Sequence, residues 1–146
     1  MINRSDTNMQ TIYQKEDVVH TFVDHKIIKV IWHKLSVKQA VYDSCLAQLQ
    51  EVRKGKVEVI IIDISHAKGT HPMEVHEWLR EVLFPGYSGC PQFKGMVIIP
   101  STSTITQMGT KRWKEVAESD QFGFKVYETD SLFSAENLAW EMMTSV

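Results

Sequence analysis

Val57-Glu58-Val59-Ile60-Ile61-Ile62-Asp63-Ile64 is a nearly continuous β-branched run. A strand with apolar residues at successive positions is covered on both faces. The run therefore predicts a central strand of an α/β sheet rather than an alternating edge strand. Phe93-Lys94-Gly95-Met96-Val97-Ile98-Ile99 is a second such run, ended by Pro100. Between them, Pro72 fits the first turn of a helix with the stripe Val75, Trp78, Leu79 and Val82. Pro85-Gly86 reads as its stop, and the loop to Pro91 is rich in glycine and proline. A strand, a helix and a strand in that order imply a right-handed crossover between parallel neighbours.

Upstream, Thr11–Gln14, Val18–Val23 and Lys26–Trp32 are strand-like, with Asp24-His25 as a tight hairpin. They predict an antiparallel meander. A helix follows, with Ser36 and Gln39 at capping-box spacing and Val41, Tyr42, Cys45, Leu46, Leu49 and Val52 as its stripe. Gly55 supplies a left-handed residue after it. Downstream, Ser101-Thr102-Ser103-Thr104 leads into helical spacing at Ile105, Met108, Trp113, Val116 and Ala117, with a break possible at Gly109-Thr110. Phe124–Tyr127 alternates like a half-exposed strand. Ser134 reads as the cap of a last helix, with Phe133 and Leu138 as a staple and Leu138, Ala139, Met142 and Met143 facing inward. The expected fold is α/β: one mixed sheet of five or six strands, with antiparallel leading strands and a parallel core, covered by about four helices. Residues 1–9 are polar and unpatterned and read as a tail. Residues 10–146 read as one domain.

Composition narrows the function classes. The chain has 146 residues and a net charge of −2, with both signs interspersed. That disfavours broad nucleic-acid or membrane-surface binding. Two cysteines, Cys45 and Cys90, are too few for a disulfide scaffold. No apolar run approaches ~18 residues, so no membrane insertion is expected. The N-terminal stretch lacks the apolar core of a signal peptide. A cytoplasmic location follows as the expectation.

These segments, in this order, resemble the SpoIIAA-like group of STAS domains, the STAS/SEC14 type of bacterial proteins. The resemblance is carried by IIKVIWHKL before the first helix, VEVIIIDIS, EVHEWLREVLFP, FKGMVIIPSTS and FKVYETDSLFSAENLAW, over about residues 10–143. It implies a signalling or regulatory domain that acts through protein binding and is not an enzyme. Anti-sigma-factor antagonists of this family carry an Asp-x-Ser followed by a phosphorylatable serine. Asp63-Ile64-Ser65 matches the first part. The second falls near Thr70-His71-Pro72-Met73, which has no matching serine, so the phospho-switch does not carry over.

Several constellations could carry chemistry. His66, His71 and His76 are five residues apart, which on a helix is about 140° out of line, so no metal and no cofactor are expected. Asp63, Ser65 and His66 are the residue types of a nucleophilic triad. Adjacent strand residues point to opposite faces, however, and no nucleophile elbow is present. Nucleotide-binding glycine motifs are absent, and Gly86-Tyr87-Ser88-Gly89 reads as a turn. Lys111, Arg112 and Lys114 around Trp113, with Lys68, form a basic cluster diluted by Glu115, Glu118 and Asp120. Cys90 sits in a loop where a thiol could react, whereas Cys45 belongs to a core stripe.

A ligand site in an open α/β sheet lies beyond the carboxyl ends of its strands. That places Ser65, His66, Ser101 and Thr102 at the rim, with the hydroxyls and free N–H groups at 101–104 able to hold an anion or to cap a helix. A small apolar or anionic ligand, seated in a pocket under the second helix and the Phe84–Pro91 loop, is the alternative to a protein partner. Trp78 is the expected anchor of a homodimer contact made by the helix at 72–84.

Overall fold

β1 (Met9–Lys15), β2 (Val19–Asp24) and β3 (Ile27–Trp32) pair antiparallel, and His25 takes φ 60 in the hairpin between the last two. The computed structural model describes residues 9–119 and 122–144. Of the expected tail, residues 1–8 lie outside them and Met9 opens β1. After β3 come α1 (Lys38–Arg53), β4 (Val59–Asp63), α2 (Met73–Trp78), a π-helical turn (Leu79–Leu83), α3 (Phe84–Ser88), β5 (Gly95–Ile99), α4 (Thr104–Ser119), β6 (Lys125–Glu128) and α5 (Leu132–Thr144). The strands lie in chain order, β1-β2-β3-β4-β5-β6, and β3 through β6 are parallel.

That order decides where the helices go. Crossovers of one hand, stepping each time to the next strand, deliver every connecting helix to the same face. α1, α2, α3 and α4 accordingly share one core with Ile28, Val30, Ile60, Met96 and Ile98. α5 follows the last strand and covers the opposite face, where Ala135 and Ala139 meet Ile27, Val59, Ile61, Val97 and Ile99. Alternate residues of β4 and β5 thus serve two cores, as their unbroken apolar runs require.

Several local expectations are corrected. α1 starts at Lys38 with no side-chain cap, and Gln39 donates to Asp43 instead (2.9 Å). The preceding chain is already held, because Leu35 N–H donates to Lys68 O (3.0 Å). The α1 stripe buries Ser44 and Gln48 in place of Leu46. These polar groups are satisfied in a buried chain: Thr21 Oγ1 to Ser44 Oγ at 2.7 Å and Gln48 Nε2 to Ser44 Oγ at 3.1 Å.

Pro85-Gly86 does not stop the second helix, which runs on to Ser88. Proline lacks an N–H and crowds the turn before it, and the wide π turn at Leu79–Leu83 sits where that mismatch must be absorbed. The turn also shifts the stripe, burying Leu83 and leaving Val82 exposed. Gly86 makes room for Leu49: a Cβ there would stand 2.9 Å from Leu49 Cδ1, which would have to shift.

α4 is unbroken at Gly109-Thr110, and it turns Thr106 and Thr110 inward while Ile105 and Met108 face out. The last helix starts at Leu132, with Ser131 Oγ accepting from Ser134 N–H (3.1 Å), and Phe133 is 76% exposed rather than stapled.

Candidate functional site

The ends of β4 and β5 do bring the expected rim residues together, since Ile64 N–H donates to Ile99 O (3.0 Å). Their polar atoms are largely engaged within the chain. Ser65 donates to Asp63 Oδ1 twice, from its N–H (2.9 Å) and from its hydroxyl (2.6 Å). That hydroxyl proton is held by a carboxylate, so the serine is a turn-former rather than a nucleophile paired with an imidazole. His66 is exposed beside it in the turn. Ser101 is buried, its hydroxyl accepts from Ser103 N–H (3.0 Å), and its carbonyl accepts from Gln107 Nε2 (2.6 Å). Thr102 is exposed. The Ser101 hydroxyl and carbonyl are thus used within the chain at the entry to α4.

The more distinctive surface lies next to this rim. The segment after β4 is stitched to the segment after β3 by Lys68 N–H to His33 O (3.0 Å) and by His71 Nδ1 to Leu35 O (2.9 Å). Its other edge meets α4, where Thr106 Oγ1 donates to Gly69 O (2.9 Å). Gly109 allows the contact, because a Cβ there would lie 2.8 Å from Thr70 Cγ2. Between segment and helix runs an open groove of about 320 Å³, lined by Thr70, His71, His76, Ile105, Met108 and Arg112. Ile105 is 66% exposed and Met108 69%. Met73, 57% exposed, adjoins them through its sulfur, 3.6 Å from Arg112 Nη1.

Electrostatics in the groove favour neutral imidazoles beside one fixed cation. Burial holds His71 down to about 4, against the opposing pull of its bond to Leu35 O. His76 is lowered by burial and then by the Arg112 cation. The two rings stand edge to face, 6.1 Å apart, and His76 Nδ1 is buried with no hydrogen-bond partner. His71 and His76 are therefore brought together, while His66 stands in the turn after β4. Among the described residues, no group of three or more His, Cys, Asp or Glu side chains could hold a metal ion.

His71 also lines a small pocket of about 40 Å³, walled by Trp32, Cys45, Gln48, Leu79, Tyr87 and Trp113. It sits under the second helix, as the ligand alternative expects. Its volume is far below the ~300–1,000 Å³ of small-molecule sites. Burial lifts the Cys45 thiol to about 12, which makes it inert. The Cys90 thiol, half-buried, donates to Gly86 O (3.5 Å). Trp78 is half-buried, packed edge-on against Tyr42 of its own chain with ring centroids 4.9 Å apart. The basic cluster splits: Lys111 and Lys114 line a separate cleft with Glu115, Glu118 and Glu128, and Lys114 bridges Glu128 at 3.2 Å.

Sequence reasoning did not assemble Thr70, His76, Ile105, Met108 and Arg112 as a site. A signal was there. Thr106, Thr110, Trp113 and Ala117 repeat at helical spacing as well as Ile105 and Met108 do, so α4 carried two candidate inner faces.

No family model matches the chain, and no curated protein matches it. Among the described residues, no helix is long and apolar enough to cross a membrane.

Proposed function

We propose that the chain is a STAS-like, non-enzymatic binding module that recognises another protein at the groove between residues 70–76 and α4. One observation carries this reading: Ile105, Met108 and Met73 face solvent together around a concave surface, while threonines of the same helix are buried. Contiguous exposed apolar side chains rimmed by polar ones mark interaction surfaces. Methionine suits such a surface, because its flexible, polarisable chain adapts to a partner's shape.

Two further points support binding over catalysis and over small-ligand storage. The Ser65 hydroxyl is tied to Asp63, and the pocket under the second helix has only about 40 Å³. A heterologous partner is favoured over a second copy held by Trp78, because that ring already packs on Tyr42. Both cysteines are free, which fits action in a reducing cytoplasm.

The test is a photo-crosslinking amino acid placed at position 105 or 108 and, as a control, at exposed Glu16, in cells that make the protein. A discrete conjugate formed from 105 and 108 but not from 16 is the expected result. Conjugates at twice the chain's own mass would identify self-association instead. No conjugate from either groove position would remove the reading.

A further inference from the structure

The groove has a chemistry as well as a shape, and it narrows the partner class. We propose that the partner segment presents a carboxylate, from an Asp or Glu side chain, next to an apolar side chain. The carboxylate sits on Arg112 and the apolar chain lies over Ile105 and Met108. This inference rests on the groove being a protein-binding surface.

Four observations support it. First, Arg112 lines the groove, where its guanidinium meets the Met73 sulfur and acts on the His76 ring, with no carboxylate in ion-pair reach among the described residues. Elsewhere lysines of this chain do find carboxylates, as Lys29 does with Asp24 (3.1 Å) and Glu136 (3.3 Å). An exposed guanidinium without a carboxylate of its own presents a fork that matches one in two parallel hydrogen bonds.

Second, His76 lines the same groove and is buried, yet its Nδ1 has no partner within the chain. Buried polar atoms are nearly always paired, and this ring leaves one hydrogen bond unmade at the groove wall.

Third, the cation is single. His71 and His76 are held neutral, and the nearby lysines of α4 face a different cleft that contains its own glutamates. A lone cation in an apolar frame suits a monoanion. Phosphorylated segments and nucleic acids call for clusters of arginine and lysine.

Fourth, the apolar rim is continuous with the cation. Met73 touches Arg112, and Met108 is one helical turn before it. One short segment can therefore meet both.

The full-length chain, immobilised, is used to select binders from a random peptide display library, and the enriched peptides are measured by fluorescence anisotropy. Enrichment of Asp or Glu beside Leu, Ile, Phe or Met is expected. Arg112→Gln should weaken those peptides at least about tenfold, with part of the affinity kept by Arg112→Lys. Changing the peptide carboxylate to its amide should cost the same factor in the parent chain and nothing further in Arg112→Gln. Thermal unfolding of each variant checks that the fold is kept.

Peptides lost on Ile105→Asp but showing no acidic preference, and indifferent to Arg112→Gln, would overturn the carboxylate and leave the groove reading standing. Peptides indifferent to Ile105→Asp, or no enrichment at all, would overturn both.

Discussion

α1 and α4 are both 16 residues long and lie on the same face of the sheet, yet they present opposite faces. α1 buries Ala40, Val41, Cys45, Leu49 and Val52, and the polar Ser44 and Gln48 among them are hydrogen-bonded. α4, over its first two turns, buries Thr106 and Thr110 and exposes Ile105 and Met108. The buried threonines are satisfied too, by Gly69 O at 2.9 Å and Thr106 O at 2.9 Å. Polar groups can thus be buried at little cost when each has a partner. What differs is the use of the apolar residues. In α1 they complete a core, and in the first half of α4 they are left for something outside the chain.

The largest expected effect falls on the α1 side. Leu49 is fully packed against Gly86 and the helix below it, so Leu49→Ala should lose about 2–5 kcal/mol through lost burial and a residual cavity. Urea denaturation reads this as a lowered midpoint at unchanged slope. A loss below about 1 kcal/mol would mean that α1 is no better packed than α4, and the contrast would vanish.

Next in size is an effect at the wall between the two regions, where His71 lines both the small pocket under the second helix and the groove. Its folded pKa of about 4 lies below the unfolded value of 6.5. Between those values the unfolded chain binds a proton that the folded chain refuses, so stability rises with pH there. The contribution is complete above about pH 6.5 and is lost as pH falls toward 4, by up to about 3 kcal/mol. His76, also lowered, adds in the same direction. His71→Gln should flatten the stability profile across this window. A profile as steep as that of the parent chain would show that His71 is not the group held neutral.

The smallest effect sharpens the comparison most. Ile105→Ala should change stability by under about 0.5 kcal/mol, because the side chain already faces water. A measured loss near that of Leu49→Ala would assign Ile105 to a core and withdraw it from the groove.

Much of the sheet was legible beforehand. Unbroken β-branched runs such as 57–64 are costly anywhere except a two-sided core, and the strand–helix alternation then leaves few topologies. The rim at Ser65, His66, Ser101 and Thr102 was also legible as a place, since strand ends are positioned by topology. Its chemistry was not. Whether the Ser65 hydroxyl reaches Asp63 or a ligand depends on a turn conformation that residue types do not specify. The continuation of the second helix past Pro85 escaped pattern reading for a related reason. Proline is a breaker by local rule, but a π turn before it and a close seat against Leu49 let the helix proceed.

Residue order alone was enough for the strands, the two-sided burial of the central pair and the crossover connections between parallel strands, because these follow from periodicity and handedness. Which face of α4 turns inward was not within its reach. Both stripes of that helix have the right period, and the choice is made by distant atoms: Gly69 O waiting for the Thr106 hydroxyl, and Thr70 close enough to require a glycine at 109. Helix pattern is a local property, whereas the groove of Arg112, His76, Ile105 and Met108 is made where the β4–α2 segment crosses α4. Only the folded chain brings those two segments together.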